Sequence, residues 1–402
     1  MRALADDELR AAHDLFGATL HHLSDDAQWE RRRLSYAPGR TFGVVEPPAG
    51  RLVATTTSFP TRTAVPGGAV LPLAAVTRVG VRADRTRRGL LTALMRAQLD
   101  DLRERGDVLA LLWASESGIY GRYGFGVATR GATVRVTATR AALRPQAPSG
   151  GEVRLLDRSE IPDVLPDLHD ALALRRPGGI VRPRPWWDLM LTRFATQPLL
   201  AAVHTGPQGD DGFAVGFTTG SSDFVHTLHV FDLHAVDVAA AAGLWRFLLG
   251  VDLVTEVEAE LAPLDDPLDL LLAQPRDRTV TAVADETWLR LVDVPAALAA
   301  RAFPAGDRTA APVLLAVHDP LLPDNAGVYR LGDGTAERLG PVGAVPAELE
   351  CDVAALATAY LGDRAPSALA ATGWWTVHDP AAVPRADALF ATDVVPWCGT
   401  HF

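Results

Sequence analysis

The segment SGIYGRYGFG, Ser117 to Gly126, sets two phenols in a glycine-rich run downstream of an arginine–glycine turn, RTRRG, Arg85 to Gly89. A phenol is a candidate proton donor, and guanidinium groups beside a helix start form an anion cradle. The free N–H groups of a helix N-terminus carry partial positive charge. With Arg87 and Arg88 beside them they suit a pyrophosphate. Gly89 lets the backbone approach such a ligand closely. Tyr120 and Tyr123 stand three residues apart, and their chemistry alone does not choose between them.

Elements must hold these groups in place. The pattern predicts an apolar strand over Val76 to Val81, the turn, and an amphipathic helix over Leu90 to Arg105. Leu90, Leu91, Leu94 and Leu102 lie on one face of that helix. A second apolar strand follows, Val108 to Ala114. Strand, glycine turn, helix and strand in that order place the cradle beside the phenols.

Composition excludes several classes of function. The formal net charge of −11 disfavours nucleic acid, whose binding rests on neutralising phosphates, and mildly favours a cationic substrate. All 38 basic residues are arginine, so self-modification on a lysine side chain is ruled out. No apolar run reaches the roughly 18 residues of a membrane helix. The acidic, amphipathic start MRALADDELRAAHDLF is wrong for a signal peptide. Cys351 and Cys398 make neither a disulfide framework nor a metal-ligand spacing, so no metal is expected. A cytoplasmic location is expected.

At 402 residues the chain is too long for one core. A first unit runs to about residue 145 and includes a strand around Thr133 to Thr137. It closes at a linker, LRPQAPSGGE. A second, residues 146–286, offers a helix (Ile161 to Leu174), strands (Leu199 to His204, Phe213 to Thr219, Val225 to Leu233), an alanine-rich helix (Val236 to Leu249) and a strand (Glu256 to Leu261). A third, residues 287–402, opens with WLRLVDVPAALAARAF as a strand entering a helix. It closes with a strand over Ala388 to Val395 and the tail PWCGTHF.

The sequence RRGLL, Arg87 to Leu91, together with ASESGIYGRYGFG, Ala114 to Gly126, and a terminal Phe402, resembles the GNAT acetyltransferases. Within them it is closest to the Eis (enhanced intracellular survival) family of N-acetyltransferases. The resemblance implies an α/β (α+β) chain: two GNAT-type mixed-sheet domains, the second degenerate, then a sterol-carrier-protein-like α+β domain. It implies acetyl-CoA as donor, with Val79, Gly80 and Val81 along its cleft and Arg87, Arg88, Gly89, Leu90, Leu91 and Thr92 on the pyrophosphate. Ser115 and Glu116 would flank the pantetheine arm. Tyr120 matches the general acid and the Phe402 carboxylate the general base. Arg78 and Trp113 fall at substrate-pocket positions but differ from the aromatic and histidine expected there, and Trp29 is a further pocket candidate. The implied acceptor is a small-molecule amine of polyamine, aminoglycoside-like or lysine type. The implied assembly is a homohexamer, a dimer of trimers.

Physical chemistry bears on these roles. A phenol near pKa ~10 protonates a thiolate near ~8.5 only slightly uphill. A terminal carboxylate near ~3.5 is a poor base for an ammonium near ~10.4, a gap worth about 9 kcal/mol. Burial must therefore narrow the gap, or the carboxylate works through water and by electrostatic attraction. In the second unit, FDLHAVD sets Asp232 and Asp237 where an anion cradle needs glycine and arginine, so one acetyl-CoA per chain is expected. The alternative is a protein that senses acyl-CoA or carries lipid without acetylating amines.

Overall fold

The computed structural model describes residues 1–48, 50–220, 225–303 and 311–402. They fall into two compact units. One holds residues 1–128, 287–393 and Phe402; the other holds residues 129–286 and 394–401.

The first unit begins with strands β1 (Arg2–Ala3), β2 (Thr41–Glu46), β3 (Arg51–Ala64), β4 (Val70–Val81), β5 (Leu109–Leu112) and β6 (Gly126–Val127). Its helices are α1 (Leu9–Thr19), α2 (Asp26–Arg32), α3 (Leu90–Glu104) and α4 (Ser117–Tyr120). The second unit supplies β7 (Arg130–Val136), β8 (Glu152–Leu155), β9 (Leu199–Gly206), β10 (Gly209–Gly220), β11 (His226–Ala235), β12 (Val254–Ala262) and β13 (Arg278–Asp285). Its helices are α5 (Ile161–Ala173), α6 (Arg184–Arg193), α7 (Val238–Leu249) and α8 (Leu268–Leu271). The chain then returns to the first unit with β14 (Trp288–Leu291), α9 (Val294–Ala300), β15 (Val313–His318), β16 (Gly327–Gly332), β17 (Thr335–Gly340) and β18 (Leu349–Asp352). It ends through α10 (Val353–Tyr360), α11 (Pro366–Ala371), β19 (Trp375–Val377) and α12 (Ala382–Phe390).

The first unit carries a seven-stranded sheet, β1-β2-β3-β4-β5-β14-β6, and a five-stranded sheet, β17-β16-β15-β18-β19. β4 and β5 are parallel, so a crossover must join them, and α3 is that crossover. Leu94, Met95, Gln98, Leu99 and Leu102 form its buried face, while Leu90 and Leu91 are only half-buried. β14 enters the sheet between β5 and β6, antiparallel to both. The sequence reading opens the third unit with this strand. Its ladder instead completes the first sheet, a pairing that no local pattern encodes.

Within the same unit α10 crosses β6 and β14. A Cβ on Gly126 would lie 2.2 Å from the Ala354 carbonyl oxygen, and one on Gly124 2.7 Å from Val353 Cγ1. The glycines after Tyr123 thus let this helix approach. Arg290, with no exposed surface, donates to both Asp319 oxygens at 2.8 and 2.6 Å.

Two further expectations need correction. The strand expected at the end of the first unit, around Thr133 to Thr137, is β7, paired with β12 and β13 in the second sheet. The stretch expected as a strand over Ala388 to Val395 begins inside helix α12. Ala382, Ala386 and Phe390 are its buried residues, a four-residue interval that a short apolar run does not distinguish from a strand. Phe390 packs between Phe303 and Trp375, with ring centroids 6.0 and 5.8 Å away.

The second unit has one sheet, β13-β7-β12-β11-β10-β9-β8. β11 and β12 are parallel and α7 joins them, repeating the β4–α3–β5 plan. The difference is at the helix start. Asp237 caps α7 and accepts from the N–H groups of Ala239 and Ala240, both at 2.9 Å. The helix end is already supplied with a protein carboxylate. Asp232 does not share that place: it is buried in β11, paired with Arg182 at 2.5 Å.

The tail from Val395 is pinned inside this second unit. Trp397 donates through its backbone N–H to the Pro177 carbonyl at 2.9 Å and through Nε1 to the Leu261 carbonyl at 2.6 Å. Arg182 donates to the Gly399 carbonyl at 2.9 Å and to Thr400 Oγ1 at 3.0 Å. Glu286 accepts from the N–H groups of Cys398 and Gly399 at 3.0 and 2.5 Å. Burial nevertheless pushes its carboxyl up to about 7 from 4.5. The folded unit therefore keeps a proton that the unfolded chain has released, and stability falls as pH rises between those two values. The expected loss is about 3 kcal/mol from pH 4.5 to 7. Urea midpoints measured across that range should show this slope in the native protein and lose most of it in Glu286→Gln.

Candidate active site

β4 and β5 pair from Leu73↔Leu109 to Val76↔Leu112. Beyond that last pair β5 ends, while β4 continues to Val81. β3 covers the other side of β4, and its register changes there: Thr57 opposes Thr77, but Thr55 opposes Gly80. One strand advances two residues and the other three, so β4 carries a bulge at Arg78 and Val79. Arg78 lies at φ +52, in the left-handed region that a side chain adopts at a cost. Bulges bend a strand and re-aim its groups. Val79, Gly80 and Val81 thus present one edge that no strand covers among the described residues. Leu15 and Thr19 of α1 close over Gly80, where a Cβ would meet Thr19 Oγ1 at 3.1 Å.

The turn after β4 folds as its residues dictate. Arg87 (φ +62) and Gly89 (φ +79) are both left-handed, on either side of Arg88, and Gly89 is the N-cap of α3. Four arginines stand near this helix start, and their partners separate them. Arg85 pairs with Glu46 at 2.8 Å and Arg82 with Asp84 at 3.0 Å. Arg87 and Arg88 are exposed and make no ion pair among the described residues. A Cβ on Gly89 would meet nothing within 4 Å, so the space before the helix is open to a ligand. Gly89→Ala should fold, losing about 1–2 kcal/mol for its positive φ. If the turn holds acetyl-CoA as the resemblance implies, the variant should raise KM for acetyl-CoA about tenfold or more, each tenfold being about 1.4 kcal/mol of lost approach. Melting curves and donor saturation kinetics read the two effects separately.

Tyr120 and Tyr123 differ in their environments. Tyr123 exchanges a hydrogen bond with Thr92 Oγ1 at 3.1 Å, which ties it to the first turn of α3. Tyr120 is 5% exposed and lies edge-on to Phe125, with centroids 6.1 Å apart. Its hydroxyl makes no hydrogen bond among the described residues. Burial, reinforced by the nearby Glu116 carboxylate, pushes its phenol up to about 12. Proton transfer to a thiolate near ~8.5 is then uphill by about 5 kcal/mol in all, not the slight step expected from an ordinary phenol. A thiolate in the same dry surroundings is raised too, which narrows the gap.

Several expected site residues meet here. Tyr120, Tyr123 and Val76 share one core cluster, with Val79 and Leu91 packed against it. Ser115 and Glu116 are exposed between β5 and α4. Trp113 is half-buried just past the end of β5. Phe402 lies edge-on to Phe59 of β3, with centroids 5.6 Å apart; Phe59 opposes Ala75, which pairs with Leu111. Trp29 lies apart from the cluster, against Tyr36 and His13 at 5.8 and 5.4 Å. Sequence reasoning missed Ser35 and Tyr36, which hold Arg78, and Phe59. Nothing in their local pattern signals a site.

A parallel strand–turn–helix–strand unit whose first strand runs on past its last ladder pair, an open cationic helix start and a buried phenol are the features of a GNAT acetyltransferase. Family models for the acetyltransferase (GNAT) domain match residues 1–128 and 178–291, and one for the sterol carrier protein domain matches residues 294–399. An uncharacterized N-acetyltransferase of Streptomyces avermitilis is 35% identical, covering 92% of this chain and 90% of its own. The N-acetyltransferase Eis of Mycobacterium bovis is 35% identical, covering 83% and 81%. The crystal structure of Eis1 from Mycobacterium abscessus superposes with a TM-score of 0.90 at 36% identity, covering 100% of this chain and 99% of that one. The chain belongs to the Eis family of GNAT N-acetyltransferases.

No helix among the described residues is long and apolar enough to cross a membrane.

Proposed function

We propose that this N-acetyltransferase moves the acetyl group of acetyl-CoA to the primary amine of a small polyamine, aminoglycoside-like or lysine-type acceptor. One juxtaposition carries the reading: the unpaired Arg87 and Arg88 at an open helix start stand beside the cluster that holds Tyr120, where β4 leaves β5.

The roles follow from chemistry. The thioester, when bound, supplies an activated acetyl group and a thiolate leaving group. Backbone N–H groups on the uncovered edge of Val79 to Val81 can stabilise charge developing on a carbonyl oxygen, as preformed donors do. Arg87, Arg88, Gly89, Leu90, Leu91 and Thr92 hold the pyrophosphate, and Ser115 and Glu116 flank the pantetheine arm. Tyr120, with its hydroxyl uncommitted, gives its proton to the departing sulfur. The Phe402 carboxylate draws the proton from the incoming ammonium, through water because its basicity is low.

The test is thiol release from acetyl-CoA against a panel of polyamines, aminoglycosides and lysine peptides. Turnover with at least one amine is expected. Tight acetyl-CoA binding with no turnover on any amine overturns the reading in favour of acyl-CoA sensing or lipid carriage. A chain extended beyond Phe402 should lose turnover but keep donor binding if the terminal carboxylate is the base; undiminished turnover would leave Phe402 as a packed end.

A further inference from the structure

Arg78 carries a charge that the protein does not balance. Its Nη2 donates to Ser35 Oγ at 2.6 Å, and its guanidinium lies over the Tyr36 ring at 4.3 Å from the centroid. Its Nη1 is sealed from solvent and has no hydrogen-bond partner. It forms no ion pair among the described residues. The charged or titratable groups that act on it are Tyr36 and Arg32, and Arg32 adds to the positive charge; burial is the larger influence and pushes its pKa down. Arg78 is half-buried overall, and a cation whose sealed nitrogen lacks a partner is costly unless an anion joins it.

Its position narrows what that anion is. Arg78 sits in the β4 bulge, next to the uncovered edge at Val79 to Val81 and two residues past the last β4–β5 pair. Its side chain meets the Ser35–Tyr36 segment that follows α2. In the acetyl-transfer reading the other arginines of the turn serve the donor, which leaves Arg78 for the acceptor. With Nη2 on Ser35, Nη1 is the nitrogen left for an anion, and a guanidinium offers a carboxylate planar N–H geometry that ammonium groups cannot.

We propose that Arg78 is the carboxylate anchor of the acceptor site, so that the preferred acceptor is an amine bearing a carboxylate, as in lysine, rather than a polycation. This rests on the acetyl-transfer reading and sharpens it. A polycation would bring positive charge against Arg78 and Arg32, whereas an amino acid supplies the missing anion and keeps its distal amine free to reach the strand edge. Arg78 is a specificity residue here, and it takes no part in bond making.

The experiment compares three probes of equal carbon chain in the wild-type protein with CoA present: lysine, lysinamide and cadaverine. Binding is measured by calorimetry and acetylation in parallel. Lysine should bind at least tenfold tighter than either of the others. In Arg78→Gln that ratio should collapse toward one, and in Arg78→Lys it should recover in part, which a merely structural role would not produce. Equal or tighter binding of lysinamide or cadaverine to the native protein overturns the proposal, as does failure of lysine to bind. Acetylation of all three without a lysine preference sinks the anchor and spares the transfer reading. A lysine preference in binding, with no amine acetylated, supports the anchor and sinks the transfer reading.

Discussion

Tyr120→Phe is expected to lower kcat by about 10²–10⁴-fold, the range of a lost general acid, with KM for acetyl-CoA within about twofold of native. In the proposed reading the donor is held by the helix start and its two free arginines, whose site does not include the missing hydroxyl. Tyr123→Phe is the control. Its hydroxyl already belongs to Thr92, so the expected loss is about tenfold or less, through a slacker first turn of α3. The pH profile adds a second readout. Burial holds the Tyr120 phenol near 12, so the acid form persists through neutral and mildly alkaline pH. The native rate should rise as the acceptor amine loses its proton and should show no fall from Tyr120 below about pH 10. A fall near pH 8 that disappears in Tyr120→Phe would show that the phenol titrates far lower and is poised differently.

Arg290→Ala is expected to cost the first unit about 3–5 kcal/mol, the toll of leaving one partner of a buried ion pair alone. The stranded partner is Asp319, which also accepts from the N–H of Leu322 at 3.1 Å and from Asn325 Nδ2 at 2.8 Å. Those bonds hold the carboxylate in place once its counter-charge is gone. The loss should appear as a lower urea midpoint and faster proteolysis. Arg290→Lys, which keeps the charge and surrenders the two-bond fork, should recover part of it. A midpoint unchanged in the alanine variant would mean that Asp319 takes up a proton at little cost.

The β4–turn–α3–β5 segment was legible because each of its signals is local. An apolar strand, a glycine at positive φ and a helix with one buried face are all written within some thirty residues of chain. The difference between Tyr120 and Tyr123 was not, because both are buried and what separates them is the bond from Tyr123 to the Thr92 hydroxyl, a property of the packed cluster. The expected strand over Ala388 to Val395 failed for the opposite reason: a short apolar run reads equally as strand or helix until its neighbours, here Phe303 and Trp375, fix the face. Arg78 was visible as an unusual residue at its position, but its lack of a carboxylate partner was not. The bulge that positions it is a mismatch between two ladders, with no sequence signature of its own.

The same kind of nonlocal pairing governs how the chain must be made. Leu112 of β5 is the ladder partner of Trp288 of β14, roughly 180 residues later in synthesis, and all of the second unit except its tail, residues 394–401, is translated between them. At about 5–20 residues per second, the nascent first sheet waits roughly ten to forty seconds with an open edge at β5. An N-terminal fragment cut at the linker, although it contains every residue of the cradle and the phenol, lacks the strand that closes its own sheet. Such a fragment is a ribosome-stalled intermediate in all but name, and chaperone capture at that edge is the fate its unpaired strand invites.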